Sequence, residues 1–260
     1  MTQTAGPARP DRNGPDPVRD LVLAEGRRIE LAGVYNLRDL GGYPAARGPL
    51  PWRTLLRSDA LHGLDPAGLA GLVALDLHTI VDLRTDGEAE MAPTPLEKLT
   101  ARHTHISILG GDLEALPLEL DAIYTYVVEE RGSAIADAIR PLCGPDAFPA
   151  LVHCSAGKDR TGIVIAMILA VLGVPDDIIA ADYALSGGAL DPSRTAVIGQ
   201  LQAGTGLGAE LTSELLSSPP QLIRNVLAAA RAVHGSVPDY LMAHGLSEAN
   251  LAALRSALGG

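Results

Sequence analysis

Residues 150–173 read ALVHCSAGKDRTGIVIAMILAVLG. Ala150–His153 is a short apolar run of the length and composition of a buried strand, and Gly162–Leu172 is an apolar stretch long enough for a buried helix. Between them lies CSAGKDRT, which holds a cysteine, two cations and a glycine. A helix N-terminus presents unpaired N–H groups and partial positive charge, a setting suited to an anion. Gly157 and Gly162 let the backbone curl so that successive N–H groups face one cup. Arg160 adds a planar fork matched to two oxygens of a phosphate. The reading is therefore strand, phosphate loop, helix.

The chain around this unit has the same alternation. Thr54–Arg57, Thr79–Leu83 and His105–Leu109 are further short apolar runs bounded by polar, Gly or Pro residues. Helical patterns cover Pro66–Ala74, Asp121–Ile139 and Asp176–Leu185, with Pro66 and Pro175 where a first turn accepts proline. From about 186 the pattern is helical to the end, closing with Ser247–Leu258, for which Ser247 is the expected N-cap. The expected fold class is α/β: a central sheet flanked by helices, a strand–phosphate loop–helix site, and a helical C-terminal part. Residues 1–18, rich in Pro and Gly, are expected to be a disordered arm. No internal repeat or second linker of that kind interrupts 19–260, which is expected to be a single catalytic domain.

Composition narrows the functional classes. The chain has 260 residues and a formal net charge of −11, with no run of Lys or Arg. That balance excludes non-specific nucleic-acid binding and polybasic membrane attachment, so an anionic substrate must be caught by local cations. Two cysteines, Cys143 and Cys154, are too few for a disulfide framework and fit a reducing compartment. The longest apolar run, Ile163–Leu172, falls short of the about 20 residues a membrane span needs. The first 20 residues lack the apolar core of a standard signal peptide. The expected location is cytoplasmic, with non-classical secretion left open, and stable membrane insertion is not expected.

Cys154 decides the chemistry. A free thiol ionises near about 8.5, and a helix N-terminus with nearby cations lowers that value. A thiolate at the floor of a phosphate cup implies in-line attack on phosphorus, giving a phosphocysteine that water hydrolyses. Ser155, Ala156, Gly157, Lys158, Asp159, Arg160 and Thr161 form the expected phosphate-binding loop. Its amides and Arg160 would stabilise the equatorial oxygens, so neither a metal nor another cofactor is expected. Thr161 is placed to donate a hydrogen bond to the departing thiolate, and His153 to orient the loop. Cys143 is expected to pack rather than pair with Cys154. The leaving oxygen needs an acid: Asp159 is the first candidate, Asp112 in a Gly-Gly-Asp turn the second, and Asp82 is expected to be structural. Arg57 and Arg84 each end a strand, where either substrate contact or a buried salt bridge is open. His103 and His105 could share a strand face, but no third metal ligand follows nearby, so they are expected to be core or surface histidines. GTGLG at 204–208 follows a helical stretch rather than a strand, which fails the dinucleotide fingerprint. The Gly-rich segment 186–220 is a candidate cover for the site.

HCSAGKDRTG at 153–162 resembles the H-C-x5-R-[ST]-G signature of cysteine-dependent phosphatases of the tyrosine and dual-specificity superfamily. In its fuller form it resembles the bacterial tyrosine phosphatase family that includes the mycobacterial secreted phosphatase B and related lipid phosphatases. NLRDLGG at 36–42, LRSDAL at 56–61, IVDLRT at 80–85, ADYALS at 181–186 and YLMAHGLSEANLAALRSALG at 240–259 extend the resemblance over roughly 30–260. It implies the phosphatase fold, no cofactor, Cys154 as nucleophile and Arg160 as phosphate clamp. It also implies phosphotyrosine hydrolysis, with phosphoserine, phosphothreonine or phosphoinositides taken by some members; Lys158 and Asp159 stand where such members carry a Lys-Asp pair. Expected partners are a phosphorylated protein or a small phosphomonoester. A phosphoinositide or metabolite phosphatase is the alternative enzyme, and a phospho-binding module the alternative outside catalysis.

Overall fold

The computed structural model describes residues 16–110, 119–189 and 217–259. In chain order the helices and strands are α1 (Pro17–Val22), β1 (Arg38–Asp39), β2 (Pro44–Ala45), β3 (Gly48–Pro49), β4 (Leu55–Ser58), α2 (Pro66–Val73) and β5 (Thr79–Asp82). There follow α3 (Asp86–Met91), β6 (Arg102–His105), α4 (Leu120–Glu130), α5 (Gly132–Ile139), β7 (Ala150–His153), α6 (Asp159–Val171) and α7 (Asp176–Ala184). The C-terminal helices are α8 (Pro220–His234), α9 (Val237–Ala243) and α10 (Glu248–Gly259). A five-stranded sheet has the order β1-β4-β7-β5-β6, with only β1 antiparallel to its neighbour, and β2 and β3 form a separate hairpin.

The period-2 alternation of the strands divides the core. Leu56, Ile80 and Leu151 point to one face and join Leu61, Leu72 and Leu77 in a small cluster with the α2 region. Leu55, Val81, Ala150 and Val152 point to the other, where the larger cluster takes in α4–α10. Strands covered on both faces read as continuous apolar runs, which is why ALVH and TIVD stand out in the sequence. Helix α6 sits at the centre of the larger layer; Ile163–Leu169 are all buried, so it is apolar on every side.

The expected class, α/β with a central sheet flanked by helices, is the observed one. Strand β7 matches the expected Ala150–His153, while β4 and β5 fall within a residue of their expected spans. Three expectations need correction. The third strand is Arg102–His105, not His105–Leu109. Its partner β5 pairs with it only from Thr79 to Asp82, and the last ladder bond is Ile106 N to Asp82 O at 2.9 Å. Beyond that point the Ser107 and Ile108 carbonyls accept from the Arg131 guanidinium instead. The long helix expected over 121–139 is two, α4 and α5, meeting at Arg131. Gly132 follows because a Cβ there would lie 2.3 Å from the His244 ring. Helix α6 starts at Asp159, so Arg160 lies in its first turn and not ahead of it. The expected arm lies outside the described residues up to 15; Pro17 and Val18 open α1, whose N-cap Asp16 accepts from Val18 N and Arg19 N. Ser247 caps the last helix as expected, its Oγ accepting from Asn250 N at 3.1 Å.

Two-residue β1 and the β2–β3 hairpin carry no readable periodicity and went undetected in the sequence. The GTGLG stretch and most of the candidate cover lie outside the described residues. Among the described residues, no helix is long and apolar enough to cross a membrane.

Candidate active site

The register of the sheet builds one edge of the site. Ser58, His153 and Asp82 lie side by side at the carboxyl ends of β4, β7 and β5, the edge where parallel sheets gather ligands. From this row the chain continues through Cys154, a buried thiol, into the loop 154–158 and then α6. Gly157 has φ +65°, and a Cβ on it would stand 2.4 Å from Ser58 O. Both the left-handed backbone and the close approach to β4 therefore require glycine. Gly162 is required by packing: its Cβ would meet the Tyr183 ring at 2.7 Å.

Arg160 is nine-tenths buried, and its fork is held by Glu88, with Nη1 to Oε2 at 2.5 Å and Nη2 to Oε1 at 2.9 Å. Glu88 comes from α3, where it completes a capping box: Oε2 accepts from Thr85 N at 2.8 Å while Thr85 Oγ1 accepts from Glu88 N. Its Oε1 also accepts from Ser155 Oγ at 2.5 Å. One carboxylate thus ties the start of the loop to its arginine. Burial opposes the charge of each partner, yet the charged pair wins. Arg160 is held above its ordinary value by the Cys154 and Glu88 charges, and Glu88 is held well below the carboxylate range by Arg160. The sequence signal for Glu88 was the T-x-x-E spacing at 85–88, which announces a helix start but not a reach across to residue 160.

Asp159 is a third exposed, and its Oδ1 accepts from Tyr124 Oη at 2.8 Å. Tyr124 Oη is in turn 2.7 Å from Tyr183 Oη. Burial and the Asp159 charge push Tyr124 well above its ordinary value, so the phenol stays a donor. Lys158 Nζ lies 3.5 Å from Asp159 Oδ1 and donates to Ser217 O at 2.8 Å. Asp112 lies outside the described residues. Ala156 is buried within the loop, and Thr161 Oγ1 is buried with no hydrogen-bond partner among the described residues.

Asp82 is buried, and its carboxylate is gripped by Arg84, Nη2 to Oδ2 at 2.6 Å and Nε to Oδ1 at 2.9 Å. Although burial raises it, the His103 ring, 3.8 Å away, and the hydrogen bonds from Arg84 hold its acid far below the carboxylate range. Such a group is a poor proton donor, in keeping with the structural role expected for it. No third metal-type residue follows His103 and His105 closely in sequence, but the sheet register brings Asp82 and His153 beside His103, with ligand atoms of the three within 4.8 Å of one another. The Arg84 guanidinium already neutralises the carboxylate of that group, and His105 turns instead to Arg84 O at 2.8 Å. His153 is fully buried, with Nε2 3.7 Å from Asp82 Oδ2, and burial pushes it down to about 4. Arg57 faces away from solvent onto Asp182 at 2.7 Å, and so a buried salt bridge is what both strand-end arginines make. Cys143 and Cys154 are both free thiols, and burial pushes Cys143 up to about 11. Beside the loop opens a groove of about 290 Å³, with Asp59, His62, Arg84, Glu88, Met91 and Ser155 along its walls.

The site thus joins a buried cysteine at a strand end, a loop curled over a left-handed glycine and an arginine locked in the first turn of α6. A model of the "tyrosine phosphatase family" matches residues 29–259. The chain belongs to the tyrosine phosphatase family. This phosphatase is 30% identical to the triple specificity protein phosphatase PtpB of Mycobacterium tuberculosis, over 88% of this chain and 98% of that protein. A Cupriavidus necator protein is likewise 30% identical over 80% of each chain. A tyrosine-protein phosphatase of Nostoc commune is 28% identical over 83% of this chain and 78% of its own. The stretch HCSAGKDRTG at 153–162 lies within the matched residues.

Proposed function

We propose that this enzyme hydrolyses phosphomonoesters through a phosphocysteine on Cys154, without a metal or other cofactor, within a catalytic domain spanning 19–260. The Cys154 thiolate attacks phosphorus in line, and the ester oxygen leaves with a proton from Asp159. Water then attacks the phosphocysteine, giving a proton back to the Asp159 carboxylate, and the thiolate departs toward the Thr161 hydroxyl. The loop amides of 155–161 and the Arg160 N–H groups that Glu88 leaves open bind the three equatorial oxygens as charge spreads over them. The observation that carries this reading is the Arg160–Glu88 fork on the same loop as Cys154. A carboxylate that fixes the plane of a guanidinium prepares it for bidentate recognition and leaves its remaining N–H groups to a ligand.

Phosphotyrosine is the substrate class favoured by the family. The relative named for triple specificity supports a range wider than one substrate class, and phosphoserine, phosphothreonine and phosphoinositide esters are the further classes proposed. Two free cysteines support a reducing, cytoplasmic setting. A panel of phosphotyrosine peptide, phosphoserine peptide, phosphoinositide and nucleotide, assayed with chelator present, tests the reading. It expects turnover of phosphotyrosine peptide that survives the chelator and disappears in Cys154→Ser. Loss of turnover on chelation, or its survival in Cys154→Ser, contradicts it.

A further inference from the structure

For the loop amides to face a phosphate, the carbonyls of the same peptide units must face the protein. Each of those carbonyls is then buried and needs a donor. Two side chains at least 100 residues away in sequence supply donors. Asn36 Nδ2 donates to Ala156 O at 2.9 Å and to Gly157 O at 3.1 Å. Arg57 Nη2 donates to Gly157 O at 2.8 Å and, at 3.4 Å, to Lys158 O. Neither side chain reaches the surface; both are buried behind the loop.

The orientation of both donors is itself fixed. Arg38 Nη1 donates to Asn36 Oδ1. A guanidinium has no acceptor, so the amide oxygen must face Arg38 and the amide nitrogen must face the loop. The Asn36 backbone is held as well, its N–H donating to Asp59 Oδ1 at 2.9 Å. Arg38 and Arg57 then converge on one carboxylate. Asp182 Oδ1 accepts from Arg38 Nε at 3.0 Å and from Tyr43 Oη at 3.0 Å, and its Oδ2 accepts from Arg57 Nη1 at 2.7 Å. Ser186 Oγ closes the far side, accepting from Arg38 Nη2 at 3.0 Å. Two routes of hydrogen bonds, one through Arg38 and Asn36 and one through Arg57, therefore run from Asp182 to the carbonyl side of the phosphate loop.

We propose that Asn36 and Arg57 are positioning residues that set the amide cup of the phosphate loop, and that Asp182, which does not touch the loop, holds both in place. The proposal rests on the phosphatase reading and adds to it residues that contact neither phosphate nor Cys154. Freed of these donors, the Ala156 and Gly157 carbonyls gain by turning toward solvent, which rotates the following amides out of the cup. That loss is felt most by a ligand with equatorial oxygens in the trigonal-bipyramidal arrangement, because the amides match that geometry better than ground-state phosphate.

The test compares wild type with Asn36→Ala, Asn36→Ser, Arg57→Lys and Asp182→Asn, using p-nitrophenyl phosphate as substrate and vanadate as inhibitor. Melting temperature and circular dichroism report the fold. The expected result for Asn36→Ala is a vanadate inhibition constant weakened about ten-fold or more, the effect of losing a buried hydrogen-bond donor. kcat should fall by a similar factor while KM changes little. Arg57→Lys and Asp182→Asn should follow the same pattern, and Asn36→Ser, which keeps one short donor, should lie between wild type and Asn36→Ala. The vanadate constant is the discriminating readout, since it does not depend on the fraction of enzyme that is folded. Melting temperatures that fall while the vanadate constants of Asn36→Ala and Arg57→Lys stay at the wild-type value would overturn the proposal. If Asp182→Asn does not fold, those two variants decide. A wild-type enzyme that vanadate does not inhibit would instead remove the phosphatase reading beneath it.

Discussion

Glu88 divides one carboxylate between two tasks, capping α3 through Thr85 and fixing the Arg160 fork. Glu88→Gln keeps the shape and removes the charge, so the cap should largely survive while the fork loosens. We expect kcat to fall roughly ten-fold or more, the scale of one charge-assisted hydrogen bond, with only a small change in melting temperature. Equal kcat in wild type and variant would show that Arg160 needs no such partner. Asp159 presents a different residue-scale question, because its Oδ1 already accepts from Tyr124. If Asp159 supplies the proton, Asp159→Asn should slow alkyl phosphates far more than aryl phosphates with good leaving groups, since protonation matters most for a basic oxygen. A uniform loss across leaving groups would move the acid elsewhere, with Asp112 next in order. Tyr124 itself gave no sequence signal: it occupies an apolar position of α4, and only the fold shows its hydroxyl reaching Asp159.

At the scale of elements, the strand–loop–helix unit was legible because the chain changes period within a few residues and the glycines fall inside the turn. The helix starts earlier than the sequence suggests because Asp159 and Arg160 look like loop chemistry, although an acid in a first turn suits the helix dipole. The misplaced third strand has a similar origin. HISIL is more apolar than the observed Arg102–His105, and it is the length of β5, not composition, that ends the pairing. Gly157 carries a prediction at this scale. Alanine there must adopt φ near +65° and place Cβ 2.4 Å from Ser58 O, so β4 and the loop must separate. Gly157→Ala should fold with a lower melting temperature and lose most of its vanadate affinity and kcat. Near-wild-type affinity would mean that the loop does not depend on its approach to β4.

Across the whole molecule, the short motifs that are weak one by one turn out to be one assembly. NLRDLGG supplies Asn36 and Arg38, LRSDAL supplies Arg57 and Asp59, and ADYALS supplies Asp182 and Ser186. Their order was readable in the sequence, but their meeting behind one loop was not, since each pair is brought together only by sheet register and helix packing. This buried charge also sets the response to acid. Arg and His partners hold Asp82 and Glu88 below the carboxylate range, Arg38 and Arg57 do so for Asp182, and burial depresses His153 to about 4. In each case the unfolded chain takes up a proton at a higher pH than the folded one, so stability must fall with pH. The loss begins as pH drops below the ordinary histidine value of about 6.5 and steepens below about 4.5, with Asp59, pushed up by burial, working in the opposite sense. His153→Gln should flatten the part of the melting curve between pH 6.5 and 4, a contribution on the order of 3 kcal/mol. An unchanged slope would place the buried proton elsewhere. Rapid acid quench during turnover of a phosphotyrosine peptide, followed by mass mapping, traps the covalent step on Cys154. The expected result is a phosphoryl adduct on the peptide containing Cys154, present in wild type and absent in Cys154→Ser. Full turnover with no adduct at any quench time, or an adduct on another residue, would contradict it.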